Sequence, residues 1–395
     1  QCASADGLLH RFLGVDTTGG DDEWITLSVG RDEQHPRRFL SLQNEGLPSA
    51  PAGFFRCPQK VERKRLTGDE YSFVELQGLF EAEKSEASIL ELVVDHKIKI
   101  IAKDTKGKNL LVINDRVPYD EIRIVGESVG NIVEPSIIFD LNCNQNDTER
   151  CQNWKQYTAI DICCGKRLEF HHLTVSAENF FQVNSEQKSF GIVSDRAVTA
   201  LNHATLKFND FRTGLHMVNN SLAFCDHCIL HAKVRLLDAS NSGIFAVGTT
   251  DNRVDFKAFE QPNDDDFSVH LHDSNAIFSA VNINNVGPRL FGVSGLTRAL
   301  VQSGNFILGD EATEAFKIGK MGHFILEQGR KSNTFKNVPR GEKFSLLSGV
   351  GTLTIDTGSK FLHPGDTLSN VWDVLACQNK KNGKLFFRGK NRCDE

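Results

Sequence analysis

The chain has 395 residues and sets 45 Lys+Arg against 51 Asp+Glu, a formal charge of −6 with neutral histidines. This acidic balance, with no basic run of about five or more residues, speaks against a general nucleic-acid binder or a binder of anionic membranes. No uncharged apolar stretch reaches the roughly 18 residues that a bilayer-spanning helix needs. With 39% hydrophobic and 24% charged residues, the chain can bury a large core, either as two or three ordinary domains or as one extended solenoid.

The sequence opens on Gln1 rather than Met, which suggests either a leader already removed or an end cut at that point, with secretion the favoured reading. Residues 1–94 read as a mixed capping region. They hold a strand candidate, EWITLSV (Glu23 to Val29), a Gly/Pro-interrupted loop, the basic stretch Lys60 to Arg65, and from Ser72 a segment whose apolar residues recur at helical spacing. From about residue 160 a fragment with apolar or small residues at positions 1, 3, 7 and 9 recurs. It appears as VTALNHATL, LAFCDHCIL, LVQSGNFIL and LTIDTGSKF, with looser copies between, anchored at 198, 222, 244, 277, 300, 324 and 353. Most steps lie near 23 residues, about the length of a coil of three short strands and three turns. Helical solenoids would need longer 3.6-period runs, which are missing here. Two longer steps are assigned to insertions near residues 252–267 and 340–344. Residues 376–395, Lys- and Asn-rich, form a C-terminal tail.

The run EIRIVGESVGN (Glu121 to Asn131), then SIIFDLN and TAIDICCGKRLEFHHLTVSAENFFQV, resembles the first coils of right-handed parallel β-helix proteins of the pectin-lyase-like superfamily. The resemblance spans roughly residues 95–375 and is one of pattern, without a family-specific catalytic signature. It implies an all-β solenoid, a right-handed parallel β-helix over 95–375, with residues 1–94 and their short helix covering one open end. It also implies work on polysaccharides in a groove along an outward sheet. Lyases of this type use a Lys, Arg or His base beside a neutralised sugar carboxylate, whereas hydrolases use paired carboxylates.

Ten cysteines form an even set, in keeping with an oxidising, extracellular setting. Cys143 and Cys151 bracket one polar loop and Cys377 and Cys393 bracket the tail; Cys2, Cys57, Cys225 and Cys228 complete the disulfide candidates. A zinc site at Cys225 and Cys228 lacks a matching second pair. The adjacent Cys163 and Cys164 should point to opposite faces of a strand. Asn146 and Asn219 fit the N-glycosylation pattern.

The densest polar region is 251–273. Alternation in SVHLHD puts His270 and His272 on one face of a strand, and with Asp273 and Lys233 these are the candidate catalytic residues. His231, Lys233 and Arg235 alternate along ILHAKVRLLD, and Asp238 follows. Together with Arg212, Asp255 and Lys257 they suit an anionic glycan, and Arg212 and His216 extend the groove. The run Asp264 to Asp266 offers oxygens of the kind Ca²⁺ takes, although no calcium-loop pattern repeats; no metal or other cofactor is expected. His171, His172, His203 and His227 fall at turns, where they read as structural. With 28 Phe but 3 Tyr and 3 Trp, the aromatics read as core rather than as sugar-stacking platforms. The expected function is a secreted polysaccharide lyase or glycosidase acting on an acidic glycan. Its rival is a non-catalytic β-helix surface, fibre or adhesion protein, and an exposed solenoid flank suits a homo-oligomer.

Overall fold

The computed structural model describes residues 60–388 except 83–85, 103–108, 129–133, 144–155, 181–187, 250, 261–265, 286, 340–343, 357 and 366–383. Among the described residues the strands fall into three all-parallel sheets of 12, 11 and 9 strands. Nine coils, from the one opening at Ile89–Val94 to the one closing at Ser345–Gly349, each contribute one strand to each sheet in turn. Val198–Asn202 lies in the 12-stranded sheet, Thr205–Phe208 in the 11-stranded sheet and Thr213–Val218 in the nine-stranded sheet; Leu222–Asp226 then returns beside Val198–Asn202. This is the expected parallel β-helix solenoid. In the 12-stranded sheet, strands start at 198, 222, 243, 275, 298, 323 and 352, within two residues of the sequence anchors.

Strand alternation explains why these residues stack. Successive side chains point to opposite faces, so one inward position per coil builds a column: Leu201, Cys225, Ala246, Phe278, Val301, Leu326 and Ile355 are in register and buried. Many of the phenylalanines do serve as core. Phe306, Phe335 and Phe361 stack with ring centroids 4.5 and 4.7 Å apart. Turns between the nine- and 12-stranded sheets pass through left-handed residues, among them Asn220, Asn241 and Asp273, types that tolerate positive φ. Each of these three is followed by a buried serine, Ser221, Ser242 or Ser274. Ser242 N–H donates to Ser274 Oγ and Ser274 N–H to Thr297 Oγ1, so the turns satisfy their backbone internally.

Three expectations are corrected here. The solenoid begins at Val61, not at 95. The basic stretch forms the strand Val61–Arg65, paired with Ile89–Val94, because the alternation of VERKR fits a first, solvent-facing coil. The segment 252–267 is not all insertion, since Val254–Ala258 is a regular strand of the 11-stranded sheet. The tail supplies a strand, Lys384–Arg388, paired with Thr352–Asp356.

The one helix among the described residues, Phe73–Glu81, starts where a capping box forms: Ser72 Oγ accepts from Glu75 N–H and the Glu75 carboxylate accepts from Ser72 N–H. Phe73, Leu76 and Phe80 are buried, and Gln77 bonds both the N–H and the C=O of Val112, in the edge strand of the nine-stranded sheet. The helix thus covers an edge that would otherwise offer unpaired groups. No helix among the described residues is long and apolar enough to cross a membrane.

Cys225 and Cys228 form a disulfide. Cys163 and Cys164 form a second one, against expectation: Cys164 has left the strand for a left-handed turn at φ 67°, so the alternation that would separate the two thiols has ended. Cys2, Cys57, Cys151, Cys377, Cys393 and Asn146 lie outside the described residues, as does the side chain of Cys143. Asn219 is exposed in a left-handed turn and donates to Asp195.

Candidate functional site

The polar residues gather on the outward face of the nine-stranded sheet. In-register pairing places His216, Asp238 and His270 at one position of three successive coils. Asp238 sits between the two imidazoles: Oδ2 lies 3.1 Å from His216 Nδ1 and Oδ1 lies 2.9 Å from His270 Nδ1. Arg235 joins them, its Nη1 donating to Asp238 Oδ2 at 2.9 Å and its Nη2 to Asp266 Oδ1 at 2.7 Å. Arg212 pairs with the other oxygen of Asp266.

Arg235 and Asp238, three residues apart, would face opposite ways on a regular strand. They face the same way because Leu236 and Leu237 both donate their N–H to Ser268 C=O, a bulge that buries two consecutive leucines. Burial by itself would push the Asp238 carboxyl up, but hydrogen bonds from His216 and His270 and the charge of Arg235 outweigh it and hold the group well below the usual carboxylate range. An ionised carboxylate only accepts, so each imidazole turns Nδ1–H to Asp238 and presents Nε2 as its basic nitrogen. Both rings are partly exposed, at 25% and 33%. A phenylalanine flanks each of them: Phe190 lies 4.7 Å from His216 and Phe267 lies 6.1 Å from His270, centroid to centroid. Gly292 follows His270 in the row, and a Cβ there would come within 2.6 Å of the Phe267 ring. Lys317 comes next, exposed.

The structure brings together Arg212, Arg235, Asp238, His270 and the extension residue His216. The other candidates lie elsewhere. His272 and Asp273 sit at the turn, where His272 contacts Ser294 Oγ and Asp273, and Asp273 accepts from Leu296 N–H. His231, Lys233 and Arg235 do not share one strand: the chain turns at Lys233 and Val234, between Ile229–Ala232 and Arg235–Ser240. His231, Asp255 and Lys257 therefore belong to the 11-stranded sheet. There His231 meets Phe259 edge-on, Lys257 lies over the same ring, and Lys233 pairs with Glu260. Burial lowers the His231 imidazole and raises the Asp255 carboxyl. Of the acidic run, Asp264 and Asp265 lie outside the described residues, and Asp266 gives both oxygens to guanidinium groups, those of Arg212 and Arg235. Phe190, Phe267 and the bridging role of Asp266 escaped sequence reasoning; the doubled leucine of RLLD, which breaks strict alternation, was the readable sign of the bulge.

At another turn His172, His203 and His227 all adopt positive φ, and their rings stack at 5.0 and 4.9 Å. His203, Asp226 and His227 bring one ligand atom each within 4.8 Å of one another, a donor set that could take a metal of the zinc type. The near-parallel rings of His203 and His227, 2° apart, send their in-plane lone pairs side by side rather than toward one point, so the stacked turn is a poor chelator as it stands. No protein-family model, curated protein or solved structure matches this chain.

Proposed function

We propose that the protein is a secreted carbohydrate-active β-helix that acts on an acidic glycan laid across the coils of the nine-stranded sheet, with His216 and His270 as the proton-transferring groups. The observation that carries this reading is the single ionised Asp238 shared by two imidazoles from adjacent coils. The carboxylate orients each ring and stabilises the imidazolium formed when Nε2 takes a proton, the role an aspartate plays beside a catalytic histidine. Lyase chemistry suits the cluster better than hydrolysis, because Asp238 and Asp266, its two carboxylates among the described residues, are both engaged by arginine or imidazole partners, whereas a hydrolase needs one carboxyl to give a proton and another to attack or activate water. In a uronate, an imidazole Nε2 would remove the C5 proton, the electron pair would form the C4–C5 double bond, and the C4–oxygen bond would break, the departing oxygen leaving as a hydroxyl on a proton from an imidazolium of the pair or from water. Arg212 and Arg235 are held by aspartates, so the exposed Lys317 is the cation in this row placed to meet a sugar carboxylate. Two disulfides among the described residues support an extracellular setting.

The second reading is a non-catalytic surface or adhesion component, favoured by the exposed Ile277 and Val247 on another face. A panel of polyuronates and neutral glycans, read by absorbance of unsaturated product and by new reducing ends, separates the two. Wild type should release unsaturated product from a polyuronate, and His216→Ala and His270→Ala should each lose roughly 10²- to 10⁴-fold of that rate, the usual share of general acid–base catalysis. No product on any substrate, with glycan binding retained, would favour the second reading.

A further inference from the structure

The outward face of the 12-stranded sheet changes character along the solenoid. In the first coils its central row reads Arg63, Glu91, Arg123, Glu169, an alternation of charge with salt bridges from Arg63 to Glu91 and from Arg123 to Glu169. After Ala200 the same row reads Phe224, Phe245, Ile277, Leu300 and Ile325, followed by Thr354 and, in register with it, Phe386. The neighbouring residues Ala223, Ala246, Phe278, Val301 and Leu326 are the inward ones, so this second apolar row faces away from the interior; Phe224, Phe245 and Leu300 in it are half-buried and Ile325 at its end is buried. Phe224 and Phe245 stack at 5.4 Å. Beside the row Val247 is 42% exposed, and Ile277 within it is 37% exposed.

We infer that this stripe is a self-association surface for a second copy of the chain. Five strands about 4.8 Å apart and about five residues wide give roughly 400 Å² of sheet face. With the polar strand ends included, that is about half of what one partner contributes to a standard interface. The stripe would supply the dry centre and the polar ends of the same strands the rim. The rim selects the symmetry. A two-fold axis parallel to the stripe sets each outward position against the opposite end of the same strand, which brings Glu327 toward His323 of the second copy and Gln302 toward Arg298. A two-fold axis along the strands would instead set Asp226 against Glu327, two like charges. The parallel arrangement is therefore favoured, with each row of the stripe meeting its own copy, as an isologous contact requires. Arg123 and Glu169 neutralise each other within one copy, so the charged half does not oppose the contact.

Sedimentation equilibrium of the full chain at micromolar concentration tests this. Wild type should have the mass of a dimer, and Ile277→Asp and Phe245→Asp should have that of a monomer with unchanged far-ultraviolet circular dichroism. Should either aspartate variant fail to fold, Ile277→Ser is read in its place. A monomeric wild type, or a dimer that persists in a folded variant, would overturn the inference, and a higher oligomer would overturn its two-fold form.

Discussion

Two outward faces built by the same coils carry opposite chemistry. On the nine-stranded sheet, the coils from His216 to Lys317 present imidazole, carboxylate and ammonium. On the 12-stranded sheet, nearly the same coils present Phe224, Phe245, Ile277, Leu300 and Ile325. Inward residues of the two sheets are indistinguishable in kind, since they share one close-packed core in which size and apolarity decide everything. The outward positions are free of that demand, and in a solenoid each such choice repeats one coil along at about 4.8 Å spacing. A functional surface can therefore be assembled row by row without altering the frame.

Changes to the shared core should break both faces together. Phe291 is fully buried and touches Phe278, Phe306, Phe316 and Phe324. Phe291→Ala should cost about 3–5 kcal/mol, measured by chemical denaturation, and activity and self-association should fall in parallel. A loss confined to one face would contradict the common core.

An outward change should affect one face alone, and Glu169 gives a sharp case through pH. Its carboxyl is buried, which by itself would raise it, yet His171 and Arg167 bring it down to about 2, below an unfolded value near 4.3. A depressed carboxylate contributes stability above the unfolded value and loses it as pH falls through the folded one. Glu169→Gln should thus remove on the order of 3 kcal/mol at neutral pH and flatten the stability profile between about pH 4.3 and 2. Equal slopes in wild type and variant would refute the assignment.

The smallest effect sharpens the polar face. Gly292→Ala forces the Phe267 ring to move, which should lower activity severalfold while stability changes by about 1 kcal/mol; unchanged kinetics would show that the flanking ring does not position His270.

The coil repeat was legible in the sequence because inward alternation is imposed at every turn, and the helix was legible because Ser72 and Glu75 carry its start signal. The grouping of outward residues was only partly legible. ILHAKVRLLD keeps its alternation straight through the turn at Lys233 and Val234, so nothing in the pattern reveals that His231 and Arg235 lie on different sheets. Asp238 and His270 were recognised as candidates, but their meeting depends on a register set by coil lengths and by the bulge at Leu236 and Leu237. The vicinal disulfide depended on one residue, Cys164, taking positive φ, which the sequence marks only by the glycine that follows.

The account rests on Asp238 fixing two imidazoles for proton transfer, and Asp238→Asn, assayed on a polyuronate beside wild type, tests it most directly. The account predicts a folded variant that has lost roughly 10²- to 10⁴-fold of the rate at which unsaturated product appears. A folded variant that turns over as fast as wild type would contradict it.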